Sequence, residues 1–246
     1  MILELDCGNT LIKWRLLSTG ETHSGVVSDA AALLDELKRV SVGSLRGARL
    51  ASVRSEQETD AIASTLEETF GVRCQVAMPA ERLGGVRNGY EDYRGLGMDR
   101  WLALVGAFTL ARKACLVLDL GTAITADFVS AEGGHLGGFI CPGMPLLRSD
   151  LRTHTSRIRY GDDAAHDALR SSDPGRSTPQ AVERGCLWMV RGFVQEQRRL
   201  ASHLLGAEHE IFLTGGDAEL VLNDVPHARL APDLVFTGLA VACPLE

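Results

Sequence analysis

The chain has no basic block and no arginine-rich stripe, and its formal charge is −7 over 246 residues. Counterion release from a phosphate backbone has nothing to drive it, so nucleic acid is not an expected ligand. Long apolar runs are also missing. The longest, Trp101 to Leu110, is too short to span a bilayer and is followed by Arg112 and Lys113. The apolar start at Met1–Leu5 is interrupted by Glu4 and Asp6 before a signal-peptide core forms, and a cytoplasmic location without a membrane segment is expected. Six cysteines (Cys7, Cys74, Cys115, Cys141, Cys186 and Cys243) fall at wide, irregular spacings with no CxxC pair, which predicts reduced, mostly buried thiols. Seven histidines form neither an HxxxH nor an HExxH arrangement, so a zinc site has no support.

What remains is an ordinary globular composition, 45% hydrophobic, in a chain long enough for one large domain or two small lobes. A chain of this size buries roughly 70–75% of its unfolded surface. Its most informative feature is an internal echo. Leu3 to Thr10 reads LELDCGNT and Leu116 to Ala123 reads LVLDLGTA, each a short apolar strand ending in Asp-x-Gly. A second strand follows each at once, Leu11–Leu17 and Ile124–Val129, so each unit is predicted as a hairpin. Glycine in such a turn permits φ > 0 and lets an anionic oxygen approach the main-chain N–H groups. The aspartate repels phosphate but can hold a divalent cation or its water shell. Two such turns facing each other would grip a nucleoside triphosphate.

The patterning up to about residue 76 predicts an α/β lobe: strands at Leu3–Leu5, Leu11–Leu17, Ala48–Ser52 and Arg73–Ala77, with helices over Ala30–Val40 and Thr59–Phe70. Residues 79–100 are loop-rich, with six glycines or prolines among Tyr90, Tyr93 and four arginines. Met98–Arg112 reads as a helix apolar on most sides, expected to be buried between lobes. After the second hairpin come the glycine-rich run Gly133–Gly143, a helix over Met144–Leu151, and a polar run from His154 to Pro174 expected to be a mobile loop. A long amphipathic helix is predicted over Pro179–Leu205. Ser177 and Gln180 have capping-box spacing at its start, and Pro179 suits a first helical turn. A strand at Glu210–Leu213, the turn Thr214-Gly215-Gly216-Asp217, a short helix and the apolar segment Leu234–Cys243 close the chain.

These elements together resemble the type III pantothenate kinases, members of the superfamily of acetate and sugar kinases, heat-shock ATPases and actin. Asp6-Cys7-Gly8-Asn9-Thr10 with Lys13 is similar to the family's first phosphate motif, and Asp119-Leu120-Gly121-Thr122-Ala123-Ile124-Thr125 to its second. Gly97-Met98-Asp99-Arg100 resembles the GxDR element between them, and Gly137–Gly143, Ser177-Thr178-Pro179 and Thr214-Gly215-Gly216 match in order and spacing. The resemblance implies a two-lobed, duplicated actin-like or ribonuclease H-like α/β fold with the nucleotide in the interlobe cleft. Its lobes would be residues 1–112, with the first phosphate motif, and 113–246, with the second phosphate and adenosine motifs.

The resemblance further implies transfer of the ATP γ-phosphoryl group to the primary hydroxyl of pantothenate, the first step toward coenzyme A. It assigns Asp6, Cys7, Gly8, Asn9, Thr10, Leu11, Ile12, Lys13 and Thr122 to ATP, with Asp6 near Mg2+. It assigns Asp119 to a monovalent cation, K+ or NH4+, and Asp99 to the general base. Tyr90, Gly97, Met98, Asp99, Arg100 and Thr178 would line the pantothenate pocket, and the chain would form a homodimer. Read from the residues alone, alternatives stand beside these roles. Lys13 could be solvated, Asp119 could bond its own turn, and Asp99 could be a helix cap. Arg100 could form a surface pair, Tyr90 could be core, Thr178 could belong to the helix cap, and Thr214–Gly216 could be a simple strand-to-helix turn. The Trp188, Met189 and Phe193 cluster is expected in the core or at a subunit interface. Competing functions are a kinase of the same fold acting on another hydroxy acid or sugar, and a non-catalytic ATP-binding regulator, which would not need Asp99.

Overall fold

The computed structural model describes residues 1–40 and 45–245; residues 41–44 and 246, which fall within the expected lobes 1–112 and 113–246, lie outside the described residues. The chain divides into two compact units, residues 1–112, 132–135 and 233–246 in the first and 113–131 and 136–232 in the second. In chain order the elements are β1 (Ile2–Cys7), β2 (Ile12–Leu17), β3 (Thr22–Val27), α1 (Ala30–Arg39), β4 (Gly47–Ser52), α2 (Glu56–Phe70), β5 (Cys74–Val76), β6 (Arg82–Leu83), β7 (Val86–Arg87) and α3 (Met98–Ala111). There follow β8 (Cys115–Leu120), β9 (Ala123–Val129), β10 (His135–Pro142), α4 (Met144–His154), α5 (Asp162–Ala168), α6 (Thr178–Leu205), β11 (Glu210–Thr214), a 3-10 turn (Ala218–Asp224), β12 (Arg229–Leu230) and α7 (Leu234–Ala242), which belongs to the first unit.

The two five-stranded sheets have the same internal plan, β3-β2-β1-β4-β5 and β10-β9-β8-β11-β12. In each, the strand that carries Asp-x-Gly is central. It pairs antiparallel with the strand that follows it, β1 with β2 and β8 with β9, and parallel with a later one, β1 with β4 and β8 with β11. A central strand is covered on both faces, so β1 and β8 carry nearly continuous apolar runs. Leu3, Leu5 and Leu50 are wholly buried in the first unit with Leu33 and Leu37 of α1. Leu116, Leu118 and Leu213 are wholly buried in the second, where Val190 and Val194 of α6 cover them. Each such leucine contributes about 2–3 kcal/mol through removal from water. One charge shares the first interior: Glu4 is buried on β1 and held by Arg15 and Arg49, each at 2.5 Å. Two guanidiniums compensate the charge of this buried carboxylate.

Helix α3 is buried from Met98 to Phe108, apart from Asp99 in its first turn. It crosses α7 at backbone contact, because a Cβ at Gly106 would collide with the Leu234 carbonyl and one at Gly238 with the Leu102 carbonyl. Helix α2 begins at Glu56, three residues before the expected Thr59, under a reciprocal capping box: the Glu58 N–H donates to Ser55 Oγ at 3.3 Å and the Ser55 N–H to Glu58 Oε2 at 3.2 Å. The box expected at Ser177 and Gln180 does not form. Ser177 occupies the N-cap of α6 without a side-chain bond, and Gln180 Oε1 accepts instead from the Arg176 N–H at 2.9 Å.

The irregular run expected from His154 to Pro174 contains α5. Side chains tie it to α6: Tyr160 Oη donates to Glu183 at 2.8 Å, and Arg184 donates to the Ala168 and Asp173 carbonyls. The glycine-rich run after residue 133 is largely strand, β10, and Thr22–Val27 is an unanticipated edge strand. Of the expected aromatic cluster on α6, Phe193 packs against the core, whereas Trp188 and Met189 are 54% and 63% exposed and are not core residues of this chain.

Candidate active site

In the first unit, the sequence from Asp6 to Lys13 folds back on itself at Gly8, where a Cβ would stand only 3.3 Å from the Leu11 carbonyl. The register places Asp6 opposite Lys13. Cross-strand partners lie on the same face of a sheet, so the lysine is turned toward the carboxylate rather than away from it. The Asp6 carboxyl is pushed up from 3.8 to about 6, chiefly by burial; Lys13 opposes the rise and the charge of Asp99 adds to it. Asp6, Lys13 and Asp99 therefore form one electrostatic group in this unit. Two acids and one ammonium leave a local excess of negative charge, which suits a divalent cation that will neutralise both carboxylates.

Arg54, which no local motif marked, completes the turn: its Nε donates to the Gly8 carbonyl at 2.8 Å from just beyond β4. Cys7 is wholly buried, and burial pushes its thiol up to about 12, so it serves as a packing residue and not as a thiolate. Asn9, Thr10 and Leu11 are exposed on the turn, while Ile12 is buried below it.

Asp99 lies in the first turn of α3, where a carboxylate is favoured by the helix dipole. It is not the N-cap, because Gly97 holds that position; Asp99 Oδ1 accepts from the Arg100 N–H at 2.7 Å. A Cβ on residue 97 would stand 2.8 Å from Asp99 Oδ1, which explains why glycine precedes the acid by two positions. Met98 is buried. Arg100 is buried too, which rules out a surface pair, and its Nη1 donates to Tyr90 Oη at 2.7 Å with the guanidinium 5.6 Å from the ring centre. Tyr90 is half-buried, not core. Its other partner is His135, stacked at 6.0 Å between ring centres, and Asn88 Oδ1 accepts from the Tyr90 N–H at 3.0 Å. The structure thus brings Asp6, Lys13, Tyr90 and Gly97–Arg100 into one unit.

The second unit builds its own turn around Asp119. Two other chain segments converge on the turn from Asp119 to Thr122. The Gly143 N–H donates to the Thr122 carbonyl at 3.0 Å, the Asp217 N–H donates to the Leu120 carbonyl at 2.9 Å, and Gly215 passes beside the Asp119 carboxylate. Only glycine fits the last position. Gly215 has φ +89, and a Cβ there would collide with Asp119 and with the Leu120 carbonyl. The close approach explains why Thr214-Gly215-Gly216 accompanies the second Asp-x-Gly in this chain: the two turns are one structure. Burial raises the Asp217 carboxyl, with Arg148 opposing. Thr122 and Thr178 are exposed, Thr178 as the first residue of α6 after the Ser177 cap. Among the described residues no three His, Cys, Asp or Glu side chains form a metal cluster, so a cation at either turn would be held by few carboxylates together with carbonyls, water or bound phosphate. No helix among them is long and apolar enough to cross a membrane.

A sequence model of the type III pantothenate kinases matches residues 2–199. A type III pantothenate kinase of Pseudomonas paraeruginosa is 59% identical over 249 residues, covering 100% of both chains. Among solved structures, a Campylobacter jejuni protein described as a Baf family transcriptional activator superposes with a TM-score of 0.60 at 20% identity, covering 96% of this chain and 94% of the other. The activator of the 2-hydroxyisocaproyl-CoA dehydratase from Clostridium difficile, with bound ADPNP, superposes with a TM-score of 0.53 at 11% identity, covering 98% and 92%. At these identities the structural likenesses establish the fold alone, which is the two-lobed actin-like α/β fold.

Proposed function

The chain belongs to the type III pantothenate kinase family, and on that premise we propose that it phosphorylates pantothenate from ATP with Asp99 as the general base. The activity and the use of ATP go with the family. The assignment of residues is our own, and the observation that carries it is the grouping of Asp6, Lys13 and Asp99 in one unit.

Phosphoryl transfer asks a protein chiefly for positioning and charge neutralisation. Bound Mg2+ and ATP supply the phosphoryl group and the counter-charge. Their residues are those of the first turn, Asp6, Cys7, Gly8, Asn9, Thr10, Leu11, Ile12 and Lys13. Asp6 holds the cation or its water, Lys13 offsets phosphate charge, and the Gly8 turn offers backbone N–H groups. The donor set fits: a buried carboxylate beside a second carboxylate is costly without a cation, and a divalent ion removes that cost. Thr122 of the second unit is a further ATP contact in this proposal. Asp119 is the ligand of a monovalent cation, K+ or NH4+. A single carboxylate supplemented by backbone carbonyls suits a large, weakly hydrated ion.

Asp99 accepts the proton of the pantothenate hydroxyl as the oxygen attacks. Arg100, fixed by Tyr90, presents positive charge to the substrate carboxylate, and Tyr90, Gly97, Met98 and Thr178 complete the pocket. The lobes of this proposal are residues 1–112 and 113–246, and the working form is a homodimer. Exposed Trp188 and Met189 on α6, with Phe139 and Ile140 on β10, support a partner surface, since such apolar area is rarely left to water. The test of the base is Asp99→Asn. It should keep the fold and ATP binding and lower turnover by roughly 10²–10⁴-fold. Near-normal turnover would remove Asp99 from the mechanism.

A further inference from the structure

The second unit contains a cleft of about 680 Å³ that has no part in the chemistry above. Lys113, Arg198, Arg199, His209 and His227 line it, with Glu210 as the one acid. Lys113 precedes β8, His209 precedes β11, and Arg198 and Arg199 lie on the C-terminal part of α6. The cleft is therefore at the entry ends of two parallel strands whose exit ends carry Asp119 and Gly215. Six residue steps of extended chain separate Lys113 from Asp119, about 20 Å along the strand. One anion cannot occupy both places.

The charges of the cleft are incompletely matched. Among the described residues neither Lys113 nor Arg198 makes an ion pair. Arg198 Nη1 donates to the Asp224 carbonyl at 2.6 Å, which fixes the guanidinium, while its Nε is buried with no acceptor. Arg199 is shared with Glu196 on its own helix, and Glu210 lies 3.9 Å from Arg229, so neither acid neutralises the two unpaired cations. A basic cleft on a chain of net charge −7 is a local reversal of sign that draws in small anions. The same net charge disfavours a nucleic acid, and the volume is that of a small-molecule site.

We propose that this cleft is a second anion site, separate from the reaction centre, which takes a small molecule through a diphosphate group. Lys113 and Arg198 come from different elements, so a group with two linked phosphates can engage both, each through charge-assisted hydrogen bonds.

The test is calorimetric titration of inorganic pyrophosphate into the full-length protein already saturated with a non-hydrolysable ATP analogue. The proposal predicts one pyrophosphate per chain, bound at least about tenfold more weakly by Lys113→Ala and by Arg198→Ala, with pantothenate-dependent turnover unchanged in both. The Lys113 side chain is exposed and makes no hydrogen bond or ion pair among the described residues, so its variant reports on the site even if loss of the Arg198 bond to Asp224 disturbs the neighbouring turn. A parallel titration with ADP separates the sources, tighter binding than pyrophosphate identifying a nucleotide and weaker binding a free diphosphate. Equal affinity in the wild type and Lys113→Ala would overturn the proposal. So would an absence of binding, or binding that vanishes once the ATP analogue is present, which would place the pyrophosphate at the nucleotide turn.

Discussion

Replacement of Asp6 by asparagine separates the cost of holding the first phosphate turn ready from its use. The carboxyl titrates at about 6 in the folded chain against 3.8 when unperturbed, because burial disfavours its charge. Folded-state protonation is therefore favoured, and the stability it confers is complete below 3.8 and lost as pH rises through about 6. At neutral pH the ionised carboxylate costs about 3 kcal/mol, at 1.36 kcal/mol per pKa unit. An asparagine side chain cannot ionise, so the Asp6→Asn variant should be more stable than the wild type by about 1 kcal/mol near pH 4.5 and by about 3 kcal/mol near pH 7.5. For a chain of this length the corresponding gains in Tm are about 2–4 °C and about 6–12 °C. Scanning calorimetry of the nucleotide-free protein at the two pH values reads them. Mg2+ with ATP should then raise the Tm of the wild type more than that of the variant, because only the wild type carries the desolvated Asp6 charge for the cation to neutralise. A variant less stable than the wild type at neutral pH, or a difference that ignores pH, would refute the view of Asp6 as a desolvated carboxylate awaiting a cation.

Three further changes test neighbouring parts of the account. Gly97→Ala places a methyl group 2.8 Å from Asp99 Oδ1 and should displace the carboxylate. Turnover should fall by roughly tenfold with little change in Tm, given that about 1 Å of misplacement can cost about 10²-fold. Tyr90→Phe removes the 2.7 Å bond to Arg100 and should raise the KM for pantothenate several-fold, by about 1 kcal/mol of binding, while the KM for ATP stays fixed in steady-state assays. Trp188→Ser with Met189→Ser, both exposed on α6, should shift the sedimentation profile from dimer toward monomer without loss of helix content. An unchanged profile would place any dimer contact elsewhere.

Much of this was legible in the sequence because the chemistry sits in contiguous motifs. Asp6 to Lys13 and Asp119 to Thr125 mark both central strands, since a strand buried on both faces must be apolar and its turn must carry glycine. The structure adds why the second motif needs a distant partner: Gly215 has to pass beside Asp119, a fact of three-dimensional approach with no local signal. Arg54 and His135 were missed for the same reason, since each reaches its target, the Gly8 carbonyl or the Tyr90 ring, across the fold. Edge strand β3 escaped because half its residues face water and Gly25 packs directly on the Trp14 ring in place of a side chain, so its hydropathy pattern is weak. Capping boxes show the limit of spacing as evidence. Ser55 and Glu58 form one, whereas Ser177 and Gln180, at the same separation, do not, because the Gln180 oxygen is taken by the Arg176 N–H.

The central claim is that this chain moves phosphoryl groups from ATP to pantothenate with a monovalent cation at the second turn. Its most direct test is ATP consumption by the purified protein with Mg2+, with and without pantothenate, in potassium and then in sodium buffer. The account predicts pantothenate-dependent turnover that falls when potassium is replaced by sodium. ATP binding without pantothenate-dependent turnover in either potassium or ammonium would contradict it.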